Sequence, residues 1–169
     1  MSGKSGTFPG FCNFLIWNYA GPPEPLGLVA VARPDVLELL IDHGLDVTER
    51  NAFGKTALMA AAQEGQEQAV ELLLKAGAAL NAVTEVDVSR LPSKLRHTFR
   101  TALMYAADQG NPAVMERLLE RGADPTLPDS QGLRAIHYYL GEGPTPGREG
   151  NRDLALVERL SGIQPSATH

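Results

Sequence analysis

TALMAAAQEGQEQAVELLLKAGAAL (Thr56–Leu80) and TALMYAADQGNPAVMERLLERGADP (Thr101–Pro125) are one pattern written twice. Both open on Thr-Ala-Leu-Met, place a glycine after the first helical segment, carry a Leu-Leu pair and close on Gly-Ala. The offset is 45 residues throughout, from Thr56 to Thr101, Gly65 to Gly110 and Gly77 to Gly122. Other landmarks stand 33 residues apart, from Gly44 to Gly77 and from Thr101 to Arg134, so a 33-residue unit with one 12-residue insertion explains the spacing. Self-similarity at such a period is the mark of a stack in which each unit buries its apolar face against its neighbours.

Each unit reads as a turn followed by two short antiparallel helices. In the second, Asn51-Ala-Phe-Gly54 supplies the turn, with Gly54 free to take positive φ. Thr56 is placed to cap the first helix, whose face of Leu58, Ala61 and Ala62 is small enough for neighbouring units to approach closely. Gly65 ends that helix. Val70, Leu73 and Leu74 recur at helical spacing over Glu67–Lys75, and Gly77 follows as a C-terminal glycine. The third unit repeats this logic from Thr101 to Gly122, with Pro112 in the first turn of its second helix.

The outer units are less regular. Pro34–His43 is a clear second helix closed by Gly44, but Pro25–Ala32 fits the first-helix pattern only with one residue deleted. In the last unit, Gly132–Tyr139 carries the turn and first helix, and Gly141–Gly147 then interrupts the pattern before Ala155–Leu160 resumes it. The expected organisation is a capping segment over 1–24, a repeat domain over 25–161 and a disordered tail over 162–169. The repeats span about 25–48, 49–81, 96–126 and 129–161, with the insertion at 83–99. Degenerate units at both ends favour a complete domain over a fragment.

These motifs resemble the ankyrin-repeat family. Its Gly-x-Thr-Pro-Leu-His signature stands here as Gly54-Lys-Thr-Ala-Leu-Met59 and Thr101-Ala-Leu-Met104, a bacterial-type variant with Ala-Leu-Met for Pro-Leu-His. The family's histidine survives only as His137, and the turn glycine of the third unit is Phe99, which implies a less regular turn there. The resemblance implies an all-α solenoid of about four stacked helix-turn-helix repeats. It also implies protein–protein interaction rather than catalysis.

Composition points the same way. Fifteen Lys and Arg against twenty Asp and Glu give a mildly acidic chain, which argues against nucleic-acid or anionic-membrane binding. The single cysteine, Cys12, excludes an intrachain disulfide. No apolar run reaches the roughly 20 residues that span a bilayer. Phe11–Tyr19 is the nearest to a signal core, but Asn13 and Asn18 interrupt it, so a cytoplasmic monomer is expected, with periplasmic or secreted placement left open. Gly3-Lys4-Ser5 lacks the upstream glycine and strand of a phosphate-binding loop. His43, His97, His137 and His169 fall at no metal-ligand spacing, so neither metal nor cofactor is expected. His137 reads as a structural residue bonding backbone at its turn, and no Ser, His and Asp set stands out.

The insertion holds Arg90, Lys94, Arg96 and His97, with Arg100 just after it, against Glu85 and Asp87. It reads either as a binding loop suited to an acidic partner surface or as a solvated insertion without a role. Leu91, Leu95 and Phe99 read as apolar anchors that would fold it back on the stack. The resemblance implies a further partner-facing set: Phe53, Lys55, Gln63 and Glu64 in the second repeat, His97, Arg100, Asp108 and Gln109 in the third, and Gln131 in the fourth. Phe53 is either a binding anchor or a contact with the next turn, and replacing Phe53 and Arg100 together with Ala should leave the unfolding midpoint nearly unchanged. Tyr105, Tyr138 and Tyr139 read as packing residues. The expected function is a non-enzymatic module that binds a protein through the concave face and residues 83–100, in one version inhibiting or neutralising its partner. The alternatives are a scaffolding segment and, more remotely, a hydrolase whose site the sequence does not reveal.

Overall fold

A computed structural model describes residues 25–85, 99–143 and 153–162. The expected cap over 1–24, the tail beyond 162 and most of the insertion lie outside them. Among the described residues there are eight helices: α1 (Leu26–Ala30), α2 (Pro34–Asp42), α3 (Ala57–Glu64), α4 (Glu67–Lys75), α5 (Ala102–Gln109), α6 (Pro112–Glu120), α7 (Ala135–Tyr139) and α8 (Leu154–Ser161). They form two layers. The first helices stack as α1 on α3, α3 on α5 and α5 on α7, and the second helices stack as α2, α4, α6 and α8. This is the all-α solenoid that the repeats predict.

None of the helices exceeds nine residues, well short of the roughly 12–15 at which an isolated helix becomes marginal in water. Stacking therefore supplies the stability. Ala61, Ala62, Ala106 and Ala107 are buried between first helices, and Leu73, Leu118 and Leu160, equivalent residues of three repeats, are fully buried in the second layer. Pairs across repeat boundaries add direction. The Asn111 side-chain amide donates to the carbonyls of Ala62 and Gln63, each at 3.1 Å, satisfying the open end of α3 from the next repeat. Asn81 likewise accepts from the backbone N–H of Asp124 at 3.0 Å.

The helix starts follow the sequence. Thr56 and Thr101 Oγ1 accept from the N–H of Met59 and Met104 at 3.4 and 3.3 Å. In the fourth repeat His137 Nδ1 accepts from the backbone N–H of Arg134 at 2.9 Å, so His137 fills the structural role expected of it. Met59 Sδ faces the equivalent N–H of Thr56 at 3.5 Å, a weaker acceptor in the same place.

Register across the turns locates the insertion. Asn51 pairs with Lys55 (N to O, 3.0 Å) and Asp129 with Leu133 (2.8 Å), each closing over three residues. Thr84 stands at the equivalent position of the third repeat. Its N–H donates to the carbonyl of Arg100 at 3.0 Å, and its carbonyl accepts from Phe99 at 2.8 Å. The same closure here spans residues 85–99, so in sequence the 12 extra residues fall within one turn of the repeat. Phe99 takes the family glycine's place and adopts the glycine's conformation, with φ 62°.

Candidate functional site

The side of the stack built from the turns and first helices holds its most concentrated polar and aromatic chemistry. Arg100 Nη2 meets Asp108 Oδ2 at 2.8 Å, with side chains only 10% and 7% exposed. The guanidinium lies between two rings, its Cζ 4.2 Å from the centroid of Tyr105 and 4.5 Å from that of Tyr138. Lys55 Nζ also lies over the Tyr105 ring, 4.6 Å from its centroid, and bonds Gln63 Oε1. Lys55 and Gln63 are the residues of the second repeat equivalent to Arg100 and Asp108. The result is a ladder, Lys55–Tyr105–Arg100–Tyr138, that crosses three repeats. Each cation over an aromatic face contributes about 0.5–2 kcal/mol, rising as water is excluded.

The turn side chains complete it. Asp129 Oδ1 accepts from the N–H groups of Gln131 and Leu133, both at 2.8 Å, while its Oδ2 accepts from the Tyr138 hydroxyl at 2.6 Å. Asn51 makes the corresponding turn bonds to Phe53 and Lys55, and Thr84 Oγ1 accepts from Arg100 N–H at 2.9 Å. Burial raises the pKa of Tyr105 despite the opposing pull of Arg100, and it raises that of Tyr138, where the bond to Asp129 adds to the shift. Tyr138 thus stays neutral, the state in which its hydroxyl donates to Asp129.

The stem of the insertion is pinned from both sides. Arg50 Nη1 donates to the carbonyls of Gly54 and Val83 at 3.1 and 2.6 Å. Glu85 lies so close on Gly54 that a Cβ there would sit 2.3 Å from the Glu85 carbonyl oxygen. On the far side, Arg100 is fixed by the ladder.

A family model described as ankyrin repeats (3 copies) matches residues 7–84 and 26–129, most of the chain and both regular repeats. The chain belongs to the ankyrin-repeat family. No curated protein matches it. Ankyrin repeats are generally protein–protein interaction modules and typically non-enzymatic, and their turns and first helices make up the side on which the ladder lies.

On this ankyrin-repeat frame the sequence-derived residues separate into three groups. Phe53 is 39% exposed on its turn, and Glu64, Gln109 and Gln131 are exposed beside it on the same side of successive repeats. Lys55 and Gln63 are half-buried and bonded to each other. Arg100 and Asp108 correct the expectation of an open surface. They are buried as an ion pair between rings, so the double replacement of Phe53 and Arg100 removes a structural residue. Arg90, Lys94, Arg96 and His97 lie outside the described residues. Phe99 is 48% exposed and so does not fold back as an anchor on the stack. Sequence reasoning missed Thr84, Asp129 and the ladder tyrosines as parts of one arrangement. The signal was present: Asn51, Thr84 and Asp129 share one repeat position, as do Tyr105 and Tyr138.

A second concavity, of about 520 Å³, lies across the second helices, lined by Asp35, Glu38, Glu67, Glu71 and Arg117. Its charges pair between repeats, Arg117 with Glu67 at 3.1 Å and with Glu71 at 3.8 Å, and Arg121 with Glu71. Among the described residues no three His, Cys, Asp or Glu side chains gather as metal ligands, and no helix is long and apolar enough to cross a membrane.

Proposed function

We propose that this ankyrin-repeat protein is a non-enzymatic module that binds another protein through the concave, first-helix side and the insertion at 83–100. It would act as a monomer, and covering the partner's surface would inhibit or neutralise that partner. The observation that carries the reading is the pinned stem. Arg50, Thr84 and Arg100 hold both ends of the insertion to adjacent repeats, so the segment begins and ends at fixed points on the side that exposes Phe53 and Phe99. Side chains positioned before encounter lose little conformational freedom on binding. Arg90, Lys94 and Arg96 within an acidic chain suit an acidic partner surface.

The test is capture from lysate of the native host, comparing the intact chain with Phe53→Ser/Phe99→Ser and with Arg90→Glu/Lys94→Glu/Arg96→Glu. The reading expects one stoichiometric partner, weakened by both sets, with binding of the intact chain falling as salt rises and the charge-reversal penalty shrinking with it. A partner held equally by all three proteins would move recognition off this side.

A further inference from the structure

Four of the large apolar side chains left in solvent belong to the first repeat. They are Leu26 and Val29 on α1, 63% and 65% exposed, and Val36 and Leu39 on α2, 37% and 58% exposed. Each helix contributes a pair three residues apart, hence one stripe per helix. Gly27 and Ala30 of α1 are buried, and a Cβ on Gly27 would stand 3.3 Å from Ala57, so α1 packs against α3 through those residues. Asp35 and Glu38 of α2 line the groove shared with α4, and at 100° per residue Val36 and Leu39 fall to one side of them. Comparison between repeats gives the direction of the exposed side. The residues equivalent to Val36, namely Ala69, Val114 and Leu156, are all buried. Only α2 among the second helices lacks a described neighbour before it in the stack. Val36 is therefore exposed because nothing described precedes the first repeat.

We propose that residues 7–24, through the apolar stretch Phe11–Tyr19, close this end of the stack by covering Leu26, Val29 and Val36. The first described residue, Pro25, directly precedes Leu26, so the 24 residues before it are tethered at the patch itself. The family match extends back to residue 7, carrying the repeat pattern into that segment. The stretch offers Phe11, Phe14, Leu15, Ile16 and Trp17, an apolar supply matched to the patch. Terminal units of a repeat stack need a cover whose outer side tolerates water, and Asn13 and Asn18 give this stretch polar positions for that side.

Trp17 is the only tryptophan in the chain and reports on the segment directly. We expect its fluorescence in the unaltered chain to be blue-shifted and several-fold less quenched by iodide than in a free peptide of residues 7–24, independently of protein concentration. Val29→Asp and Val36→Asp should each restore quenching towards the peptide value while the far-UV circular dichroism of the helices is kept. Should either variant lose that helical signal, quenching in the unaltered chain decides alone. Peptide-like quenching there would overturn the proposal. Shielding that appears only as sedimentation shows dimers would also overturn it, assigning the patch to a second copy of the chain.

Discussion

Arg100 and Asp108 form a 2.8 Å ion pair across the step from turn to helix, and both side chains are almost wholly out of water. Lys55 and Gln63, one repeat earlier, make the same connection with one charge fewer. The pair fixes the chain at the point where it leaves the insertion, so it supports the binding side without being open to a partner.

Arg100→Ala should therefore destabilise the protein by about 3–5 kcal/mol, because it takes the opposite charge away from a buried carboxylate. Adding Asp108→Ala should recover part of that loss. Urea denaturation of the two single variants and the double variant gives the coupling directly. A loss under about 1 kcal/mol for Arg100→Ala would place the guanidinium in solvent and remove the ladder.

Phe99 and Gly54 occupy the same turn position, and substitutions there should act with opposite signs. Phe99 holds φ 62°, a region that costs an L-residue about 1–2 kcal/mol, so Phe99→Gly should stabilise by roughly 0.5–1 kcal/mol after glycine's greater chain entropy. Gly54→Ala combines φ +68° with a 2.3 Å approach to the Glu85 carbonyl and should destabilise by about 2 kcal/mol or more. Thermal unfolding of both variants checks the pair. A destabilised Phe99→Gly would mean that the ring packs on the stack after all.

Much of this was legible in the sequence, and the failures share a cause. Thr56, Thr101, Gly65 and Gly110 act locally, and each caps or ends its helix as its type and position predict. Arg100 and Asp108 were misjudged because charged residues are normally exposed, and a single residue type cannot reveal that two aromatic rings flank it. The 33-residue spacing of Tyr105 and Tyr138 holds that information, but only once the stack is assumed. Phe99 shows the opposite limit, since the repeat register predicts its backbone while its side chain stays about half exposed.

Asn111→Ala should cost about 1–2 kcal/mol by leaving the last carbonyls of α3 without their two side-chain bonds. Equilibrium denaturation measures the loss. Amide exchange should show it as faster opening at the boundary between the second and third repeats. Unchanged exchange there would mean that the amide does not tie the two repeats together.

Acid titration should find Asp124 depressed, as it should Asp46 with its equivalent Thr48. The Thr126 hydroxyl, donating at 2.6 Å, and the Thr126 N–H hold the Asp124 carboxyl below the ordinary range. A folded value below the unfolded one stabilises the protein fully above the ordinary carboxylate range, and that contribution is lost as pH falls through the folded value. Thr126→Val should move the Asp124 midpoint up towards about 3.9, as read by NMR titration of its side chain. An unmoved midpoint would exclude the hydroxyl as the cause.

Replacing residues 85–99 with Ser-Gln-Gly, the three residues that close the equivalent turn at 130–132, tests the binding role of the insertion apart from the fold. The expected result is an unfolding midpoint within a few degrees of the original and loss of the captured partner. A partner bound with undiminished affinity by this shortened chain would contradict recognition through the insertion.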